Sequence, residues 1–191
     1  MHHPHERRGP QRLLLVLVGM LCHPAAVPSA DQPVSGDAIV VGSIGDASRL
    51  LPILATDSAS GDIVSLVFNG LLKYNERLEI VGDLAESWSV SDDGLTLTLT
   101  LRPNARWHDG VACTAEDVRF TYQKLIDPNV RTPFSSGYEL IESVEVVDPR
   151  TVRIRYREPF APALESWMMG IIPKHLLERE GSTSAHEITS T

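Results

Sequence analysis

Ser91-Asp92-Asp93-Gly94-Leu95-Thr96-Leu97-Thr98-Leu99-Thr100-Leu101 decides how this chain folds. Small and acidic residues make a turn, and leucines then alternate with threonines, the period-two pattern of a strand with one buried face. Residues 82–90 upstream read as an Asp-led turn entering an apolar strand. Trp88 and the leucines then lie on the covered side of an antiparallel pair. Downstream, 141–147 and 151–157 read as two further strands joined by Asp148-Pro149-Arg150. Arg150, Arg153, Arg155 and Arg157 fall at strand spacing, and the reading places them on the solvated edge of a strand whose other side is Val152, Ile154 and Tyr156.

Helical periods are interleaved with these strands. Asp62 or Gly61 can cap a helix with Ile63, Val64, Val67 and Phe68 on one face before Asn69-Gly70 ends it. Thr114 with Asp117 three residues on is a start of the capping-box kind. Val118, Thr121, Tyr122, Leu125 and Ile126 then trace an apolar stripe that Asp127-Pro128 terminates. Residues 38–42 read as a short buried strand, 46–60 as a loop punctuated by Pro52, and 161–169 as a short helix. A last helix has Pro173 near its first position. The fold class is mixed α/β.

The 191 residues carry a net charge of -8, and removal of residues 1–30 leaves 14 basic against 24 acidic side chains. A polyanion is bound by clustered Lys and Arg, so nucleic acid is not an expected partner. The first 29 residues read as a secretory signal: Arg7, Arg8 and Arg12 precede an apolar run at 13–21, too short to span a bilayer, and a Pro- and Ala-containing segment follows. Cleavage falls after Ser29 or after Ala30. Cys22 closes the apolar run and offers the alternative of a lipid anchor, against which Leu21 is a poor residue for the preceding position. Residues 30–37 are a linker, 38–180 the folded domain, and 181–191 a small, polar, disordered tail. Cys113 is then the lone thiol of the exported chain, and burial is its expected state.

No residue pattern demands catalysis, a metal or a cofactor. His108-Asp109 lies in Trp107-His108-Asp109-Gly110, a turn with a packed indole, and has no second partner at a recognisable spacing. His175 has no His or Cys within ligand spacing, and Asp92-Asp93 lacks the further oxygens of a calcium loop. Trp88 and Trp107 read as core residues. Trp167, inside Ser166-Trp167-Met168-Met169-Gly170, stands between core and the wall of a ligand cleft.

Several blocks recur together in one family: Phe68-Asn69-Gly70-Leu71, Leu84-Ala85-Glu86-Ser87-Trp88, Leu101-Arg102 with Trp107-His108-Asp109-Gly110, and Thr114-Ala115-Glu116-Asp117-Val118. Their order and spacing resemble the family 5 extracellular solute-binding proteins, which carry oligopeptides, dipeptides, nickel chelates or sugars to ABC importers. The resemblance implies the N-terminal lobe and extra subdomain of a two-lobed, type II periplasmic-binding fold, truncated before the second lobe. It also implies a non-catalytic, monomeric chain in the periplasm, with a peptide-like ligand and a membrane permease as partners. By the same resemblance the ligand backbone meets Thr56, Asp57 and Ser58, after Leu51-Pro52, with Trp167 the fourth expected contact. The 51–60 and 159–164 runs favour the peptide branch over nickel, and a nickel- or sugar-type binding protein is the alternative within the family. Two rival readings stand beside this one: an enzyme or metal-handling site using Glu86, His108 and Asp109, and an envelope interaction module that binds no ligand.

Overall fold

The leucine–threonine alternation forms a strand in the interior of a sheet. The computed structural model describes residues 42–43 and 45–178. Along them run α1 (Ser58–Val67), β1 (Leu72–Tyr74), β2 (Ile80–Gly82), β3 (Ala85–Val90), β4 (Thr96–Leu101) and α2 (Ala115–Ile126). A 3-10 turn (Ser135–Tyr138), β5 (Ile141–Asp148), β6 (Thr151–Tyr156), α3 (Ala163–Ser166) and α4 (Lys174–Leu177) follow. The leader expected at 1–29, with Cys22, the linker expected at 30–37, most of the strand expected at 38–42 and the tail expected at 181–191 lie outside the described residues.

β3, β4, β6 and β5 lie in that order in one antiparallel sheet, and β1 and β2 pair as a separate hairpin. Gly94 makes the β3–β4 turn possible with φ of +70°, a conformation that costs glycine nothing. Asp93 fixes the turn by accepting from the Leu95 N–H at 3.0 Å and the Ser91 hydroxyl at 2.5 Å. Trp88 is paired with Leu99 and Leu99 with Val152, while Leu97 is paired with Ile154. Leu97, Leu99, Leu101, Val152, Ile154 and Tyr156 are all buried, with Ala115, Val118, Phe120 and Leu125 of α2 in the same core. Burial of each such side chain favours folding by roughly 1.5–3 kcal/mol.

The opposite face is polar. Thr96 pairs with Arg155 and Thr98 with Arg153. β6 is an interior strand, so its arginines stand on a sheet face and not on the solvated edge that their spacing alone indicates. Arg153 reaches Glu145 at 3.1 Å and Arg155 reaches Glu142 at 2.8 Å, both on β5, and Arg150 stands 3.9 Å from Glu86.

α2 begins as its sequence dictates. Thr114 donates from its N–H, at 2.8 Å, and from its hydroxyl, at 3.2 Å, to the Asp117 carboxylate. Asp117 is itself buried and also accepts from the Lys174 N–H at 2.9 Å, tying the start of α4 to α2. α1 differs from expectation: it starts four residues before Asp62, with Asp57 as its N-cap. The run Ser58-Ala59-Ser60-Gly61-Asp62 carries no apolar period, so the pattern hides a turn held by hydrogen bonds. The short helix near 161–169 is limited to the four residues of α3, because Trp167 turns inward and Ile171 and Ile172 follow it into the core.

Candidate functional site

Three stretches of chain cross at Gly70 and Gly170. The N–H groups of Leu71 and Leu72 donate to the Trp167 carbonyl at 2.8 and 3.3 Å, and the Ile171 N–H donates to the Asn69 carbonyl at 3.0 Å. A Cβ on Gly70 would stand 2.5 Å from the Met168 carbonyl oxygen, and one on Gly170 would stand 2.9 Å from both Phe68 Cβ and Pro52 Cγ. Glycine permits these approaches because it has no side chain. The crossing shapes an open groove of about 620 Å³ whose apolar wall includes Pro52, Ala55, Val64, Phe68, Met168 and Met169. That volume lies within the roughly 300–1,000 Å³ range of small-ligand sites. Its polar rim is Asp83, which accepts from Asn69 Nδ2 at 2.8 Å and from Lys73 Nζ at 3.0 Å.

None of the four expected ligand residues is among those lining this groove, although Ala55 and Met168, their chain neighbours, are. Thr56, just before the N-cap, and Ser58, the first residue of α1, are both exposed. Asp57 has both carboxylate oxygens engaged: Oδ1 accepts from the Ser60 N–H at 2.8 Å, and Oδ2 accepts from the hydroxyls of Ser48 and Ser60 at 2.6 and 2.7 Å. These bonds, that of Ser48 foremost, hold the Asp57 carboxyl well below the usual carboxylate range. The Ser60 hydroxyl in turn accepts from the N–H groups of Ser48 and Arg49. Asp57 thus fastens the preceding chain onto the helix.

Trp167 resolves to the core, at 1% exposure. Its indole N–H donates to the Tyr156 hydroxyl at 3.0 Å, and its ring meets Tyr138 edge-on with centroids 5.6 Å apart. An indole this enclosed does not line the groove, and Met168, Met169 and Gly170 just after it do. Asn69, Lys73 and Asp83 were not found by sequence reasoning. The signal available for them was Gly70 and Gly170, each marking a close approach.

Two members of the rival catalytic or metal cluster have other partners. Glu86 faces Arg150, whereas Asp109 Oδ2 lies 2.7 Å from Nε2 of His175, 66 positions away. His175, foremost, together with the Val111 N–H, lowers the Asp109 pKa. No group of three His, Cys, Asp or Glu side chains able to hold a metal occurs among the described residues. The rings of Trp107 and His175 lie tilted to each other with centroids 6.3 Å apart, and the buried Trp107 indole N–H has no partner among the described residues. Cys113 is buried as expected, and burial pushes its thiol up to about 12.

Residues 79–190 match the family described as bacterial extracellular solute-binding proteins, family 5 Middle. The chain belongs to family 5. This family 5 chain is 34% identical over 157 residues to the oligopeptide-binding protein AppA of Bacillus subtilis, covering 80% of this chain and 28% of AppA. It is 32% identical over 152 residues to the glutathione-binding protein GsiB of Pectobacterium atrosepticum, covering 79% of this chain and 29% of GsiB. Among solved structures, NikZ of Campylobacter jejuni in complex with Ni(L-His) superposes with a TM-score of 0.68 at 32% identity, over 77% of this chain and 28% of NikZ. The mixed α/β architecture is therefore part of a type II periplasmic-binding fold. The family 5 chain spans less than a third of the length of the relatives it matches.

Proposed function

We propose that this chain provides part of the peptide-binding component of an ABC importer, with the groove beside α1 as one wall of the ligand cleft. The observation that carries the reading is the convergence of Pro52 and Ala55, just before the expected contact segment, with Met168-Met169-Gly170 on one partly apolar groove. Thr56 and Ser58 meet the ligand at the mouth of that groove. Asp57 keeps them in place, and Trp167 supports the Met168–Gly170 wall from beneath. A peptide lying along the groove gains affinity through main-chain contacts that tolerate many side chains. One wall alone bears the full entropic cost of association for only part of the contacts, so affinity for the isolated chain is weak.

The same reading makes the chain non-catalytic and monomeric, and gives it no nucleic-acid partner. Residues 1–29 export it to the periplasm, with Cys22 as the alternative point of lipid anchorage, and a membrane permease is its transport partner. The test is a titration of the isotopically labelled full chain with trileucine, reduced glutathione and Ni(L-His), followed by NMR. Trileucine is expected to move the methyl signals of Met168, Met169 and Val64. Groove shifts with Ni(L-His) alone, or none with any probe, would overturn the reading.

A further inference from the structure

Of the four arginines at strand spacing, three are matched by glutamates and one is not. The guanidinium of Arg157 makes no ion pair or hydrogen bond among the described residues and instead lines a second open groove, of about 600 Å³. This groove is made by the end of α2, the 3-10 turn and the start of β5, without contribution from α1 or from 168–170. Its apolar floor is Leu125, Val130, Tyr138 and Ile141, each at most 5% exposed.

The groove is also lined by groups of both charge signs. Among the described residues, Arg157 is the only basic one lining the groove, and the hydroxyls of Tyr122 and Ser135 line it without hydrogen-bond partners. Burial raises the Tyr122 phenol pKa and Arg157 opposes that rise, which places the cation in the field of the phenol. Asp127 and Glu139 supply the negative side. Asp127 is the C-cap of α2, where the helix dipole adds negative potential. A planar guanidinium is suited to a carboxylate through paired N–H donors. Negative potential at a helix end attracts an ammonium group, and the floor accommodates an apolar body.

We infer that the groove between α2, the 3-10 turn and β5 is a binding site for a small zwitterion with an apolar side chain, of the free amino acid class. Its carboxylate pairs with Arg157 and the hydroxyls, and its ammonium faces Asp127 and Glu139. The site is distinct from the proposed peptide groove and does not depend on it.

L-phenylalanine is the probe, titrated by calorimetry into the full chain, with 3-phenylpropionate and 2-phenylethylamine as analogues lacking one charge each. Saturable binding of L-phenylalanine is expected, weakened at least tenfold for either analogue. Arg157→Gln is expected to weaken it at least tenfold, Arg157→Lys less, and Arg155→Gln not at all. Arg157 is exposed, so the Gln variant is expected to retain the parent unfolding midpoint. Absence of L-phenylalanine binding, or binding that Arg157→Gln leaves unchanged, would overturn the assignment.

Discussion

Gly170 has neighbours on two sides that leave no room for a methyl group. Phe68 Cβ and Pro52 Cγ would each stand 2.9 Å from an added Cβ, and both belong to the wall of the groove beside α1. Gly170→Ala is therefore expected to cost about 1–3 kcal/mol through overpacking, read as a lower urea midpoint. Asp57 acts through charge. Its folded pKa is depressed, so its contribution is present above the unfolded value of about 3.9 and is lost as pH falls through the folded value. Asn caps a helix about as well as Asp but does not titrate. Asp57→Asn is expected to flatten the fall in urea midpoint between pH 4 and pH 2, and an unchanged slope would contradict the assignment.

α2 is the element on which the returning chain is seated. The Thr121 hydroxyl donates to the Asp117 carbonyl at 2.8 Å and accepts from the Ile172 N–H at 3.0 Å, both within the core. Thr121→Val preserves the shape and leaves that N–H without an acceptor, at a cost of about 1–3 kcal/mol. Thr121→Ser is expected to restore most of the loss in the same denaturation series. Elements differ in how much of this the sequence reveals. β4 and α2 are legible because each repeats its period several times and carries its own turn or cap. β1 and β2 are three residues each, too short for a period, and their hairpin is set by Asn75, whose side-chain oxygen accepts from the N–H groups of Arg77 and Glu79. The start of α1 is hidden because Asp57 and Ser60 cap it without the usual Glu or Gln. Asp109 and His175 meet across 66 positions, a separation no local pattern can report.

At the scale of the whole molecule, the core is continuous from the leucines of β4 to Ile171 and Ile172, whereas α1 keeps an apolar side uncovered among the described residues, with Leu66 at 85% exposure. The two grooves therefore differ in kind: one lies beside this uncovered helix, the other is bounded by elements packed on the sheet. The sequence blocks point to the family and to the segments that line the first groove. They do not separate Arg157 from its three paired neighbours, because that distinction depends on which strands of the sheet bring Glu86, Glu142 and Glu145 within reach. The three tryptophans occupy different depths: Trp167 is fully enclosed, while Trp88 and Trp107 are only partly buried. A collisional quencher such as iodide is expected to remove the red side of the emission and leave a blue-shifted remainder from Trp167. Because Trp167 immediately precedes the Met168–Gly170 wall, that remainder makes the molecule carry its own optical gauge of whether the wall is seated.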